Sequence, residues 1–452
     1  MALSVTFHGG ADSVTGSNFL IKHNDEQYLV DCGMTQGSAL AERKNADPFA
    51  YDPKDIDALI ITHAHLDHIG RAPLLIKHGF TGPVYMSEPT RDLMSLMLTD
   101  AVSVMTIEGK RFDSEPLYTL IEVELLMSRV KTLKLHEPYK LSEDVSITLF
   151  HTGHILGATS VLVHTKGEKS LLITGDIGSG SPTLLTPFDV VPEADVIVME
   201  SVYGDRENSG VQGREELLRT KVVQAVAKGG ALIIPAFSVE RTQLMLYELS
   251  NLFSEGLLKR VPVFLDSPLA IKVTDVYKRY ARTFFNEERQ KELLKEQDLF
   301  SFPFLTLTSR REESEKIKET PNPKIIIAGA GMSHGGRIGK HEILYLPDER
   351  STLFVVGYQA PGTLGRQIEE GVKAVTINKR KVKVRARVEK LTGWSGHADS
   401  SALLAYASAH KSASKFIIVQ GEPQARRFLA QRITNELGKQ TLVPEKGDTV
   451  EI

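Results

Sequence analysis

The stretch "ITHAHLDHIG" (61–70) places His63, His65, Asp67 and His68 within six positions, in a chain with only 14 histidines among 452 residues. Buried and unpaired, such groups would cost several kcal/mol, about 2–7 each. A divalent cation removes that cost, because neutral imidazole and carboxylate are its usual nitrogen and oxygen ligands. The cluster is therefore read as a metal site. In an extended loop, spacing i, i+2 lets His63 and His65 approach one ion, while Asp67 and His68 point to a second.

One cluster cannot complete two coordination spheres, so further donors must come from other elements of the chain. "IDALIIT" (56–62) is short, apolar and β-branched, which predicts a buried strand just before the cluster. "RAPLLIKHG" follows, with Pro near its start and Gly at its end, as a short helix has. The same layout, an apolar strand ending in a donor, recurs in "EQYLVDCG" (Asp31), "VSITLFHTGHILGATS" (His151, His154) and "KSLLITGDIGSGS" (Asp176). It recurs again in "ADVIVMESVYGDR" (Glu200), and "LTGWSGHADSSALL" supplies His397 and Asp399.

Asp31, "HAHLDH", His154 and Asp176 together resemble the metallo-β-lactamase superfamily of metal-dependent hydrolases. "MESVYGDR" (199–206), "PAFSVERTQ" (235–243), "GYQAPGTLGRQI" (357–368) and "SGHAD" (395–399), in that order, resemble its β-CASP branch of RNA-processing nucleases. The resemblance implies that His63, His65, His154 and Asp176 hold one cation. Asp67, His68, His397 and a bridging Asp176 would hold the other. It also implies that Asp31 orients a ligand histidine and that Glu200 lies beside the catalytic centre. The catalytic residues would be Asp67, Glu200 and His397. Where the messenger-RNA 3′-end nuclease of this branch carries a histidine that protonates the leaving oxygen, this chain has Gln367, whose neutral amide is no general acid near pH 7. His334 or His341 would then move in, or water would serve.

His397 follows Asp176 by 221 positions (397 − 176), more than a compact hydrolase core needs between two ligands of one site. The intervening chain alternates helical stretches with the short apolar runs "ALIIPAF", "VPVFLDS", "KIIIAGAG" and "STLFVVGY", a pattern that predicts a parallel sheet covered on both faces. The expected class is α/β: an αββα metallo-β-lactamase sandwich from 1–206 and 366–452, with an inserted parallel-sheet β-CASP domain at 207–365. Loops at the carboxyl ends of parallel strands line binding crevices, so Ser238, Arg241, Ser267, Arg337, His341 and Gln367 are expected to touch substrate. The glycine-rich "GAGMSHGGR" (329–337) suits an anion but departs from a dinucleotide fingerprint at His334.

Composition sets bounds. Hydrophobic content of 41% and charged content of 25% are ordinary for a globular chain, which excludes a disordered or fibrous one. The N-terminus lacks a basic start and apolar run, and no stretch approaches a membrane span. The single cysteine, Cys32, fits a reducing cytoplasm and reads as a packed small residue. A net charge of −3 gives no global attraction to nucleic acid. The basic run "NKRKVKVRARVEK" (378–390) reads as an edge strand protected by charge, ahead of an RNA contact.

The expected activity is hydrolysis of RNA phosphodiester bonds by a two-metal-activated water, with zinc preferred and manganese the second choice. By resemblance it leaves 5′-phosphate and 3′-hydroxyl ends. Single-stranded RNA is the expected partner, with no membrane, and a homodimer is left open. The alternatives are a hydrolase of small esters or thioesters, a DNA nuclease and a non-catalytic RNA-binding subunit.

Overall fold

The computed structural model describes residues 3–452 except 38–42, 113–114, 168, 192–193, 208–212, 334, 358, 361 and 392. Two compact units emerge, Met1–Glu207 with Gly396–Ile452, and Asn208–Ser395.

The first unit is built on two seven-stranded sheets. One runs, in spatial order, Thr449–Glu451, Ser4–Gly9, Asn18–His23, Glu26–Val30, Ala58–Ile60, Val84–Met86 and Val130–Thr132. The other runs Gln440–Leu442, Lys415–Ile418, Val196–Met199, Leu171–Ile173, Thr159–Thr165, Val145–His151 and Tyr139–Lys140. Strand side chains alternate between faces, and the sequence uses both. Val145, Ile147, Leu149, Val161 and Val163 pack in one cluster with Val5, Phe7, Phe19, Ile21 and Ile60 of the other sheet. The out-of-phase residues Leu162, Leu172, Ile197, Phe416 and Ile418 pack in a second cluster with Leu403 and Tyr406 of helix Ser400–Ala409 and Leu429 and Ile433 of helix Pro423–Leu437. Two sheets face to face with helices outside are the expected αββα sandwich.

The second unit holds a six-stranded sheet in the order Leu305–Leu307, Val263–Asp266, Lys324–Ala328, Ala231–Pro235, Thr352–Val355 and Arg387–Lys390, parallel throughout. Every residue of its two central strands is buried, as strands covered on both faces require. The unit runs 30 residues past the expected boundary at 365 (395 − 365). The reason lies in the basic run: Arg387–Lys390 forms an edge of this sheet, and Arg380–Lys383 pairs with Ala374–Ile377 in a separate hairpin. Val375, Ile377 and Val382 of that hairpin pack in this unit's own core with Ile338 and Ile368. Its lysines and arginines stay exposed.

Among the described residues, no helix is long and apolar enough to cross a membrane.

Candidate metal centre

The expected ligands lie in the first unit, His154 and Asp176 just beyond strand ends and the others at or before helix starts. His63 follows the strand Ala58–Ile60, and His65 is the residue before the short helix Leu66–Ile69, which carries Asp67 and His68. His154 follows Val145–His151, Asp176 follows Leu171–Ile173, and His397 precedes the helix Ser400–Ala409. The turn before Asp176 depends on Gly175, whose φ is +56° and whose position would bring a Cβ within 2.8 Å of Thr62 Cβ.

Hydrogen bonds fix which nitrogen each ring presents. His68 Nδ1 lies 2.6 Å from Asp31 Oδ2; a carboxylate only accepts, so Nδ1 carries a proton, and in the neutral ring that a cation needs Nε2 presents its lone pair. His154 Nδ1 donates to the Gly396 carbonyl at 3.0 Å, and His397 Nδ1 donates to Glu200 Oε1 at 3.2 Å. The Thr62 hydroxyl donates to Asp31 Oδ2 at 2.8 Å, so its oxygen accepts from His63 Nδ1 at 3.1 Å. Three rings, those of His63, His68 and His154, thus turn Nε2 inward, while His397 brings Nδ1 to 3.9 Å from Asp176 Oδ2. Asp31 is itself pinned, its Oδ1 accepting the Thr62 amide at 2.8 Å and its Oδ2 the Ser17 hydroxyl at 3.3 Å.

The inward atoms converge in two groups. His63 Nε2 and His154 Nε2 each lie 3.1 Å from His65 Nδ1 and 3.4 and 3.3 Å from Asp176 Oδ2. Four ligands placed about 2.0–2.1 Å from a tetrahedral centre stand about 3.3 Å apart, so the group matches a cation cage. Acceptors facing acceptors at that range repel unless positive charge lies between them. On the other side, Asp176 Oδ1 is 3.2 Å from His68 Nε2, and Asp67 Oδ2 is 3.9 Å from the same nitrogen. His397, Asp176 and Glu200 form a further compact group, with ligand atoms within 4.8 Å of one another. Asp176 therefore turns Oδ2 to His63 and His154 and Oδ1 to His68.

Electrostatics divide the rings: burial would lower His68, but Asp176 and Asp31 outweigh it and lift the ring well above its usual range, so a cation held there displaces a proton. Burial, and then neighbouring imidazoles, hold His65 and His154 well below the usual histidine range, in the neutral form a cation needs. Burial opposes the charge on Asp176, but His68 and His63 outweigh it and hold the carboxyl well below its usual range. Burial would likewise lower His397, yet Glu200 outweighs it and lifts the ring to about 9.

Glu200 is fully buried and accepts from the Ile177 and Val202 amides as well as from His397 Nδ1. His151 is turned away, its Nε2 on the Thr186 carbonyl, and Asp399 caps its helix through the Ala402 amide. Cys32 is buried, with its thiol pushed up to about 12 by burial. Thr62 and Gln420 went unnoticed in the sequence. Thr62 stands inside the quoted motif, and Gln420 follows Lys415–Ile418 in the same strand-then-polar layout that revealed the other donors.

The expected substrate residues all lie in the second unit. Ser238 and Ser267 come together: a Cβ at Gly329 would stand 3.9 and 3.6 Å from their hydroxyl oxygens. Ser267 also caps Pro268–Phe284, and Arg241 begins the helix Arg241–Ser254. Arg337 and His341 differ from expectation. Each donates to buried Asp266 at 2.7 Å, alongside Thr308 and Ser314. Gln367 is an exposed residue of Leu364–Glu369, and His334 lies outside the described residues.

The chain matches three protein-family models in order: the metallo-beta-lactamase superfamily (12–236), the Beta-Casp domain (242–368) and the Zn-dependent metallo-hydrolase RNA specificity domain (381–444). It is 36% identical to Ribonuclease TTHA0252 of Thermus thermophilus, over 92% of each chain. It belongs to the β-CASP branch of the metallo-β-lactamase superfamily. Two further relatives are similar to the chain over nearly its whole length. The RNase J-like protein of Methanocaldococcus jannaschii is 30% identical over 99% of each chain. The transcription termination factor FttA of Methanosarcina mazei is 31% identical over 99% of this chain and 71% of its own. A crystal structure of a protein of unknown function from Enterococcus faecalis V583 shares the fold at a TM-score of 0.57 and 13% identity, covering 100% of both chains.

Proposed function

We propose that this β-CASP protein is a metal-dependent ribonuclease that hydrolyses phosphodiester bonds in single-stranded RNA, leaving 5′-phosphate and 3′-hydroxyl ends. The observation that carries the reading is Asp176, whose Oδ2 faces His63 and His154 while its Oδ1 faces His68. His63, His65, His154 and Asp176 would hold one divalent cation, and Asp67, His68, His397 and Asp176 the other. Zinc suits the imidazole-rich first set, and manganese suits a set richer in carboxylate.

Two such cations, when bound, supply a hydroxide nucleophile near neutral pH and positive charge for both the attacking and departing oxygens. The chain's own residues do the rest. Asp31 and Thr62 keep the His68 and His63 rings in one tautomer, Gly396 does so for His154, and Glu200 aims His397. Asp67, its carboxyl pushed up by burial, accepts the proton that the attacking water gives up. Ser238, Arg241 and Ser267 stand at the carboxyl ends of the parallel strands, where an anionic substrate is contacted.

Purified protein offered labelled single-stranded RNA and, separately, a panel of thioesters tests the reading. RNA cleavage that disappears in Asp176→Ala is expected. Thioester turnover with inert RNA would replace the reading with that of a small-ester hydrolase.

A further inference from the structure

Gln420 lies inside the first unit at 1% exposure, with a left-handed φ of +49° that a glutamine adopts only at a cost of roughly 1 kcal/mol or more. Its backbone is held at both ends, its amide donating to the Gly10 carbonyl at 2.7 Å and its carbonyl accepting from the Ser201 amide at 3.2 Å. That strained, pinned backbone delivers one side chain to one place. The terminal amide nitrogen stands 3.1 Å from His68 Nε2 and 3.1 Å from Asp176 Oδ1, and those two atoms are themselves 3.2 Å apart.

The three atoms form a nearly equilateral triangle, with the edge length found in the cage around His63, His65 and His154. The geometry of the first cation group is thus repeated, with an amide at the third corner. An amide offers either a donor or an acceptor from the same position, since half a turn about its last bond exchanges nitrogen and oxygen. In the neutral ring, with Nδ1 protonated against Asp31, His68 Nε2 presents a lone pair, and Asp176 Oδ1 is also an acceptor. A cation drawn to that pair repels the amide N–H and attracts the carbonyl.

We propose that Gln420 is a ligand of the second divalent cation through Oε1. The inference rests on the two-cation reading above and extends it. With Asp67, Asp176 and Gln420 the second position offers three oxygens, whereas the first offers three imidazole nitrogens and one oxygen. Oxygen donors suit harder ions, so the second position takes manganese in preference to zinc.

The test is Mn2+ titration of the metal-stripped, full-length chain, read as free Mn2+ by electron paramagnetic resonance and checked by elemental analysis. Wild type is expected to bind two equivalents. Gln420→Ala is expected to weaken the second by at least about tenfold and leave the first unchanged. Gln420→Glu, which keeps an oxygen but cannot donate, is expected to retain or tighten the second. Wild-type affinities in Gln420→Ala, or a second site as weak in Gln420→Glu as in Gln420→Ala, would overturn the ligand role and leave the two-cation reading standing. Wild type that binds no metal would overturn both. Should the variants fail to fold, a crystal structure of manganese-loaded wild type decides by itself: Oε1 at about 2.2 Å from the second ion supports the inference, and Oε1 turned away refutes it.

Discussion

Replacing Asp31 by Asn changes one charge and almost no volume, and asparagine tolerates the left-handed backbone at this position, where φ is +60°. Asn Oδ1 can still accept the Thr62 amide, now 2.8 Å from Asp31 Oδ1. The new NH2 then faces Thr62 Oγ1, Ser17 Oγ and His68 Nδ1, all of which donate to Asp31 Oδ2 in the wild type. The two hydroxyls can turn and accept. His68 Nδ1 can accept only if its proton moves to Nε2, the nitrogen that faces Asp176 Oδ1 at 3.2 Å, and a protonated nitrogen cannot ligate. Losing a buried bond to a charged group costs about 1.5–3 kcal/mol. At about 1.4 kcal/mol per decade, that weakens the cation held through His68 by roughly 10–100-fold. Competition with a chelator of known affinity, read by elemental analysis after desalting, measures it. A variant within about twofold of wild type would show that Asp31 does not set the tautomer of His68.

Four further outcomes are expected. Asp176→Ala should abolish RNA hydrolysis and metal retention together, because both groups share that carboxylate, as metal analysis and a gel assay on one preparation would show. Gln367→Ala, at an exposed helix position, should change kcat and KM by less than about twofold. Asp266→Asn removes the charge that Arg337 and His341 share and should destabilise the second unit by about 3–5 kcal/mol, measured by denaturant unfolding. Burial raises Glu240 to about 7. Below its unfolded value of 4.5 the carboxyl is neutral in both states, so its contribution is fully present there. Between pH 4.5 and 7 the unfolded chain releases the proton while the folded chain keeps it. Stability therefore falls as pH rises, by up to about 3 kcal/mol, and Glu240→Gln should remove that slope in urea melts at pH 5 and pH 8.

The candidate cluster was legible because His63, His65, Asp67 and His68 crowd together after a short apolar run, and His154 and Asp176 follow such runs too, a pattern that period and composition reveal locally. Ring orientation was not legible. It depends on His154 meeting a carbonyl 242 residues away and His397 meeting Glu200 197 residues away, and no local pattern carries that pairing. Arg337 and His341 looked available for a phosphate because Asp266 lies 71 and 75 positions away from them. The end of the insert was displaced for a related reason: alternating basic residues around Arg387 announce a strand without saying which sheet it extends. Gln420 escaped notice because an amide after a strand has no chemistry of its own until His68 and Asp176 are brought beside it.

The central claim is that a shared carboxylate and five histidines hold the cations through which RNA is cut. Cleavage of 5′-labelled RNA by one preparation, assayed as purified, after chelation, and after return of zinc or manganese, tests it most directly. The account predicts loss of cleavage on chelation and recovery with the divalent ion. Cleavage that persists undiminished in the chelated protein, at verified metal depletion, would contradict it.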